Sequence, residues 1–556
     1  QKPAKMSSSQ SNDGEIIYKS PRPPISLPQD ANISLVTFLF RNISSLSNTT
    51  ALIDAETGKI LTFSDLKTQV AKLSNALINL NISKSDVVLI FSPNSILFPI
   101  SFFAVVSIGA IATTANPQYT ISELSKQIND AKPKLIITTH QLYHKTRNFN
   151  LPSILLTPKN SSPRIINTTS KYPVWYYSDL VEIESFLSPK PQPIVVQSDV
   201  AALLYSSGTT GTSKGVVLTH MNFIAAALVA TSDQELYGDD KNVFLCFLPL
   251  FHNYGFSAIL YAQLQRGNTV VVMEKYEMKK MLRAIERYKV THLYIVPPVV
   301  LALVREPDAV GNYDISSLKE IVSGAAPLEK ELMEECAMIF PKTAILQAYG
   351  MTETCGAISL ENARRISVGL GHRGSTGELA SGFEAQIIHV DTLKPLPPFH
   401  NGEIWVRGPP LMQGYYKNSK ATEEVIDKNG WLHTGDLGYF DVEGRLYIVD
   451  RLKELIKCKG FQVAPAELEE LLLSHPEITD AAIIPFPDTE AGEVPIAFVV
   501  RSTNSSLSEQ DVQNFIAQQV APFKRLRRVT FLDIIPKSVS GKILRKELKH
   551  NLISKI

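Results

Sequence analysis

Residues 203–220 read "LLYSSGTTGTSKGVVLTH", and the middle of this stretch is equipped for chemistry. Ser206, Ser207, Thr209, Thr210, Thr212 and Ser213 supply hydroxyl donors, and Lys214 supplies a charge. Gly208 and Gly211 free the backbone to turn successive N–H groups toward one concavity, which suits a polyphosphate. The pattern is not the usual P-loop, because Thr212 and Ser213 separate Gly211 from Lys214. Taken alone, the stretch also fits a flexible solvent loop.

Five further places carry groups that do chemistry. Glu353, in "QAYGMTE", is a carboxylate of the kind a hard cation takes together with phosphate oxygens, although a Thr-Glu pair also serves as a helix cap. His252 stands in the apolar, aromatic "FLPLFHNYGF", where a satisfied core histidine is the plainer reading, and no second His stands at metal-ligand spacing. Asp436 in "HTGD" and Arg451 after "RLYIVD" read by themselves as a turn residue and a surface charge. Lys542, in "SGKILRKEL", precedes a helical pattern and by itself reads as a solvated face.

A chain of 556 residues, 44 % of them hydrophobic, is long enough for several domains. Lys+Arg 55 against Asp+Glu 54 leaves a formal charge of +1, which argues against a nucleic-acid partner. Cys246, Cys336, Cys355 and Cys458 are scattered, so a reducing compartment without a cysteine-held metal is expected. No signal-peptide core opens the chain, and Gln1 to Lys5, ahead of Met6, read as a tag remnant. The uncharged stretch around "ILFPISFFAVVSIGAIA" approaches a membrane span in length, but Pro93, Pro99 and Pro117 break it. A strand over Val87–Phe91 followed by a buried helix explains it better, and no integral membrane association is expected.

The elements that must position these groups follow from periodicity. Residues 1–30 are polar and predict a loosely ordered arm. From there "DVVLIF", "KLIITT", "NTVVVM" and "VTHLYIV" alternate with helical stretches, the pattern of helix-covered parallel sheets. After Gly374 the short runs "EAQIIHV", "GEIWVRG" and "GRLYIVD" predict a barrel-like subdomain. Near Lys453 a smaller α+β unit begins, with Pro465 opening one helix and Ser508 and Asp511 capping another. The predicted fold class is therefore α/β, with a large domain over 31–451 and a small mobile α+β domain over 452–556.

In order and spacing, "YSSGTTGTSKG", "QAYGMTE", "GWLHTGDLGYFDVEGRLYIVDRLKELIKCKGFQVAPAELE" and "PKSVSGKILRKEL" resemble the adenylate-forming superfamily of acyl-CoA synthetases, luciferases and peptide-synthetase adenylation domains. The resemblance runs from about Ser34 to the end and is strongest to plant peroxisomal 4-coumarate–CoA ligase-like proteins. It implies that Ser206, Ser207, Gly208, Thr209, Thr210, Gly211 and Lys214 hold the ATP phosphates. Thr352 would meet the α-phosphate, Glu353 Mg²⁺, and Tyr349, Gly350 and Ala326 the nucleotide, with Asp436 and Arg451 on the ribose. His252 would help position the substrate carboxylate, and Lys542 would bridge carboxylate and α-phosphate. Lys453 matches the hinge of the small domain. Lys457, Lys459, Gly460 and Gln462 belong to the block that replaces Lys542 when coenzyme A reacts. The basic run from Lys524 to Arg528 reads as solvated surface, with the CoA phosphates as its alternative use.

The implied activity is a two-step ligase: acid and MgATP give acyl-AMP and pyrophosphate, then CoA displaces AMP. A peptide-synthetase module is disfavoured, because no carrier serine is evident after Leu548. A noncatalytic scaffold would be expected to lack Glu353 or Lys542. Tyr254, Val322, Ala325 and Gly350 would line the acid pocket. Val322 stands in "EIVSGAAPL" where hydroxycinnamate ligases carry a polar side chain, and Ala325 replaces a Gly. An apolar position cannot pair a buried phenol. A medium- or long-chain fatty acid, an oxylipin precursor or an apolar cinnamate is therefore expected, with 4-coumarate itself or a luciferase-type oxygenation as alternatives. The final Ser554-Lys555-Ile556 is close to the Ser-Lys-Leu address, so a peroxisomal import receptor is an expected partner, with the cytoplasm as the alternative location.

Overall fold

The flanks of the hydroxyl-rich loop are neighbouring strands, Val200–Ser206 and Lys214–Thr219, paired antiparallel so that Ser206 lies opposite Lys214. The loop between them therefore starts and ends at one point on a sheet edge. The computed structural model describes residues 9–10, 16–156, 172–182, 190–206, 214–238, 241–363, 374–458, 461–488, 491–520, 522–538 and 541–553. Ser207, Gly208, Thr209, Thr210 and Gly211 lie outside them, as do Lys459, Gly460 and the final Ser554, Lys555 and Ile556.

Among the described residues there are four sheets. In one, Val200–Ser206 is followed in parallel by Ile111–Thr114, Val87–Phe91, Leu135–Thr138, Ser153–Leu155 and Val174–Tyr176. In another, Thr269–Val272, Val243–Cys246, His292–Ile295, Glu320–Ser323 and Ala344–Met351 run parallel. These are the expected helix-covered sheets. The uncharged helix Leu97–Ser107 is buried from Phe98 to Val106, and its Phe102 and Phe103 meet Phe256. Burial on every side explains why it needs no polar face. No helix among the described residues is long and apolar enough to cross a membrane.

The sheet after Gly374 is antiparallel, built from Glu384–Ile388, Gly402–Arg407, Leu432–Phe440 and Leu446–Arg451. It corrects one expectation. Ile16–Lys19 joins this sheet beside Glu384–Ile388, with Tyr18 buried and stacked on Phe440 at 4.2 Å. Arg22 is buried too, donating to the carbonyls of Glu378, Leu379 and Leu360 and pairing with Asp233 at 3.0 Å. Residues 16–22 are thus a built-in strand and clamp rather than a loose arm. One aromatic ring and one saturated guanidinium suffice to anchor a segment whose composition is polar.

Beyond Arg451 the chain forms its own apolar clusters, one around Ile456, Leu468, Ile483 and Val529 and another around Ile484, Phe498 and Leu548. Pro465 opens the helix Pro465–Leu473, and Ser508 and Asp511 form a reciprocal cap on Glu509–Ala517, as expected.

Candidate active site

Glu353 sits in a single tight turn, Thr352–Thr354, directly after the strand Ala344–Met351, and is buried. Its Oε1 accepts hydrogen bonds from Ser206 Oγ and from Tyr415 OH, each at 3.0 Å. Lys214 lies with its Nζ 4.7 Å from the centre of the Tyr415 ring. One described flank of the hydroxyl-rich loop therefore meets this carboxylate directly, and the other packs on the Tyr415 ring whose hydroxyl also bonds it. Tyr415 was not legible as a site residue: it enters from the two-residue strand Gly414–Tyr415, which pairs with Lys214–Thr219. Among the described residues no three ligating side chains gather into a metal cluster.

On the next side of the cleft, Tyr349 OH donates to Asp436 Oδ2 at 2.7 Å, and Arg451 Nε lies 3.3 Å from Asp436 Oδ1. Asp436 and Arg451 are direct cross-strand partners of Leu432–Phe440 and Leu446–Arg451, so the pairing is set by sheet register. Burial works against the Arg451 charge, but Asp436, Glu454, Tyr349 and Glu353 around it outweigh that and hold the guanidinium above its ordinary value. Burial, and then Asp436, hold the Tyr349 phenol well above its ordinary value, so it remains a donor. Gly350 follows at a strand crossing where a Cβ would come within 2.3 Å of the Gly356 carbonyl oxygen. Only glycine fits there.

His252 is held down to about 4, first by burial and then by the positive charge of Lys542. The imidazole is neutral at physiological pH. The Tyr254 backbone N–H donates to its Nδ1 at 3.3 Å, which leaves the proton on Nε2. After His252 the chain enters a π-helix over Tyr254–Tyr261, a rare winding that the sequence did not announce. Tyr254 lines the cleft, and its hydroxyl reaches the carbonyl oxygens of Ile295 and Val322, each at 3.3 Å. Val322, Ala325 and Ala326 line the same cleft, and Ala325 adopts a left-handed φ of 70°.

Lys542 comes from the small domain. Its turn is closed by Ser538 N–H to the Lys542 carbonyl at 2.8 Å and Lys542 N–H to Ser538 Oγ at 3.1 Å. The turn rests on the large domain at Gly541 (φ 79°), where a Cβ would stand 3.2 Å from Pro298. The cleft bounded by Ser206, His252, Tyr349, Glu353, Asp436, Arg451 and Lys542 encloses about 2820 Å³. That is well beyond an ordinary single-ligand pocket of roughly 300–1,000 Å³, and has room for a nucleotide together with an acid.

The other expected residues separate from this group. Lys453 lies in the single turn Leu452–Glu454 that links the two apolar cores. Lys457 and Gln462 face each other across the hairpin of Ile456–Cys458 and Phe461–Val463. Lys524, first in the basic run, is held by both carboxylate oxygens of Glu467 at 2.6 Å.

Residues 39–416 match the AMP-binding enzyme family, and residues 467–542 match the AMP-binding enzyme C-terminal domain. The chain is 45 % identical to the "Probable CoA ligase CCL5" of Humulus lupulus, over 97 % of this chain and 96 % of the relative. It is 44 % identical to the "Peroxisomal OPC-8:0-CoA ligase 1" of Arabidopsis thaliana, over 96 % of this chain and 95 % of that one. Its fold is similar to o-succinylbenzoate CoA synthetase (MenE) from Bacillus subtilis in complex with the acyl-adenylate OSB-AMP, with a TM-score of 0.78 and 28 % identity over 92 % of this chain and 97 % of that chain. ATP-bound MatB from Rhodopseudomonas palustris gives a TM-score of 0.80 and 25 % identity, over 93 % and 99 %. Two family matches that together span both units, relatives aligned end to end, and one cleft that gathers the motif residues lead to one conclusion: the chain belongs to the AMP-binding enzyme family and is an adenylate-forming acyl-CoA ligase.

Proposed function

We propose that this enzyme activates an apolar carboxylic acid in two steps, with roles divided among the cleft residues. Asp436 and Arg451 take the ribose, Tyr349 the adenine side, and the loop after Ser206 the pyrophosphate end of ATP. The neutral His252 presents Nε2–H to one carboxylate oxygen. Lys542 stands where negative charge builds as the acid oxygen meets the α-phosphorus, and its ammonium lowers that barrier. The small domain then turns about Lys453, and the Lys457-to-Gln462 block replaces Lys542 while the CoA thiol attacks the anhydride. The observation that supports this reading is the single cleft that His252, Tyr349, Glu353, Asp436, Arg451 and, from the small domain, Lys542 line together.

Glu353 fits Mg²⁺ as a lone carboxylate. Its Oε1 is steadied by two hydroxyls, and its Oε2 makes no hydrogen bond among the described residues. Mg²⁺ commonly binds through one or two carboxylates, with phosphate oxygens and water completing the shell. When bound, it would neutralise phosphate charge.

Val322 leaves a phenol unpaired, which favours fatty, oxylipin-type or unsubstituted cinnamic acids over 4-coumarate. The name of the Arabidopsis relative supports a peroxisomal setting, reached through Ser554-Lys555-Ile556. The test is a panel of acids scored for pyrophosphate release and for CoA-dependent AMP release, on the wild type and Val322→Asn. Apolar acids should lead in the wild type, and Val322→Asn should move preference toward 4-hydroxylated cinnamates by about 1–3 kcal/mol. An unchanged order of acids removes Val322 from the pocket.

A further inference from the structure

The small domain meets the large one at points besides the Lys542 turn. Arg305 donates to the Thr479 carbonyl at 3.1 Å from an exposed position. A buried crossing lies beside the hinge, where the Ala466 N–H donates to Asp450 Oδ2 at 2.9 Å. Asp450 belongs to the strand Leu446–Arg451 of the large domain, and Ala466 to the first turn of the small domain's helix Pro465–Leu473. Lys453 stands between them in the chain. A turn about Lys453 therefore carries Ala466 away from Asp450.

The helix does not cap itself. Pro465 opens it without an N–H, so its first backbone donor belongs to Ala466. Ala464, at the cap position, makes no side-chain cap. Glu467, where a capping box would be completed, is spent on Lys524 at 2.6 Å. The Asp450 carboxylate supplies the missing cap from the other domain, and its negative charge suits the positive end of the helix. Its second oxygen accepts from the Arg451 N–H at 2.7 Å. Lys542 is tied to the same helix. Glu469, one turn after Ala466, holds Arg545 at 2.7 Å, and Arg545 also pairs with Glu454 at 3.4 Å. Arg545 follows Lys542 by three residues, so a hold on Ala466 is passed through one helix and one ion pair to the turn that carries Lys542.

We propose that Asp450 is a latch: it caps the helix Pro465–Leu473 only while Lys542 is in the cleft, and so weights the enzyme toward the adenylating arrangement. It is a positioning residue that acts on the chemistry through Lys542, and its role rests on the ligase reading with its turn about Lys453. The four native cysteines are buried, so fluorescent labels can be placed on Asp308→Cys and Gln510→Cys, at exposed positions of the large and small domains. Energy transfer between them reads the docked fraction without turnover. Asp450→Ala should add a second distance population and lower the docked-to-turned ratio roughly tenfold, the size of one lost helix cap. In single turnovers it should slow adenylate formation more than thioester formation from presynthesised acyl-AMP. Adding Ala464→Ser to Asp450→Ala gives the helix a local cap, which should recover the melting temperature and leave the docked fraction low. Unchanged distances in Asp450→Ala, equal slowing of both steps, or a docked fraction restored by Ala464→Ser would each overturn the latch, the last by showing that Asp450 only stabilises the helix. A wild type that makes no acyl-CoA from any acid overturns the ligase reading instead, while the distances still decide whether Asp450 holds the domains together.

Discussion

Tyr349 and Arg451 hold the same carboxylate from opposite sides: the phenol donates to one oxygen of Asp436 at 2.7 Å, and the guanidinium lies 3.3 Å from the other. Because Asp436 and Arg451 are cross-strand partners, the sheet presents a preset acceptor to whatever enters the cleft. Asp436→Asn should raise the KM for ATP by about 10- to 100-fold, as expected for hydrogen bonds to a charged group, and leave the KM for CoA near the wild-type value. Tyr349→Phe removes only one neutral donor and should cost under tenfold. Steady-state kinetics with each substrate varied separates the two.

Backbone geometry beside the acid pocket gives opposite expectations for two small residues. Ala325 holds a left-handed φ of 70°, so Ala325→Gly should relieve strain and stabilise the fold by about 0.5–1 kcal/mol. Gly350→Ala would place a methyl 2.3 Å from the Gly356 carbonyl oxygen and should destabilise by about 1–3 kcal/mol. Thermal melting of both variants checks the signs.

The interface between the two domains carries a charge conflict. Glu329, next to Lys330 and Glu331, faces Glu469 and Glu470 of the small domain. Its carboxyl is raised to about 7, first by burial and then by Glu470, Glu331 and Glu469. Lys524 is committed to Glu467, and Arg545 to Glu469 and Glu454, so none of these cations is bonded to Glu329. The docked arrangement binds a proton that the separated domains release nearer the ordinary carboxylate range, so docking is favoured at low pH and weakens as pH rises toward about 7. If adenylation uses the docked Lys542 as proposed, it should therefore lose ground to thioester formation between roughly pH 5 and 7.5. Glu329→Gln should flatten that profile, and stopped assays of the two steps across pH measure it.

Local chemistry was largely readable from the chain. The hydroxyl-rich loop between two strands, the proline opening Pro465–Leu473 and the Ser508–Asp511 cap each depend on residues within a few positions of one another. What escaped depends on long-range meetings. Arg22 finds Asp233, and Tyr415 finds Glu353, across hundreds or tens of positions that no local pattern encodes. The π-winding of Tyr254–Tyr261 has no periodic signature separate from that of a buried helix.

In the proposed mechanism Lys542 serves the first step and leaves the site for the second. Its turn rests on Pro298 through Gly541, and its charge bears on His252. The most direct measurement is single-turnover kinetics of Lys542→Ala, first with acid and ATP, then with presynthesised acyl-AMP and CoA. Adenylate formation should fall on the order of 10²–10³, the size of one lost transition-state donor, while thioester formation stays near the wild-type rate. Replacing Gly460 with a bulky residue should give the reverse pattern. Equal slowing of both steps by Lys542→Ala would rule out this division of labour, since Lys542 would then act in both or serve only the fold.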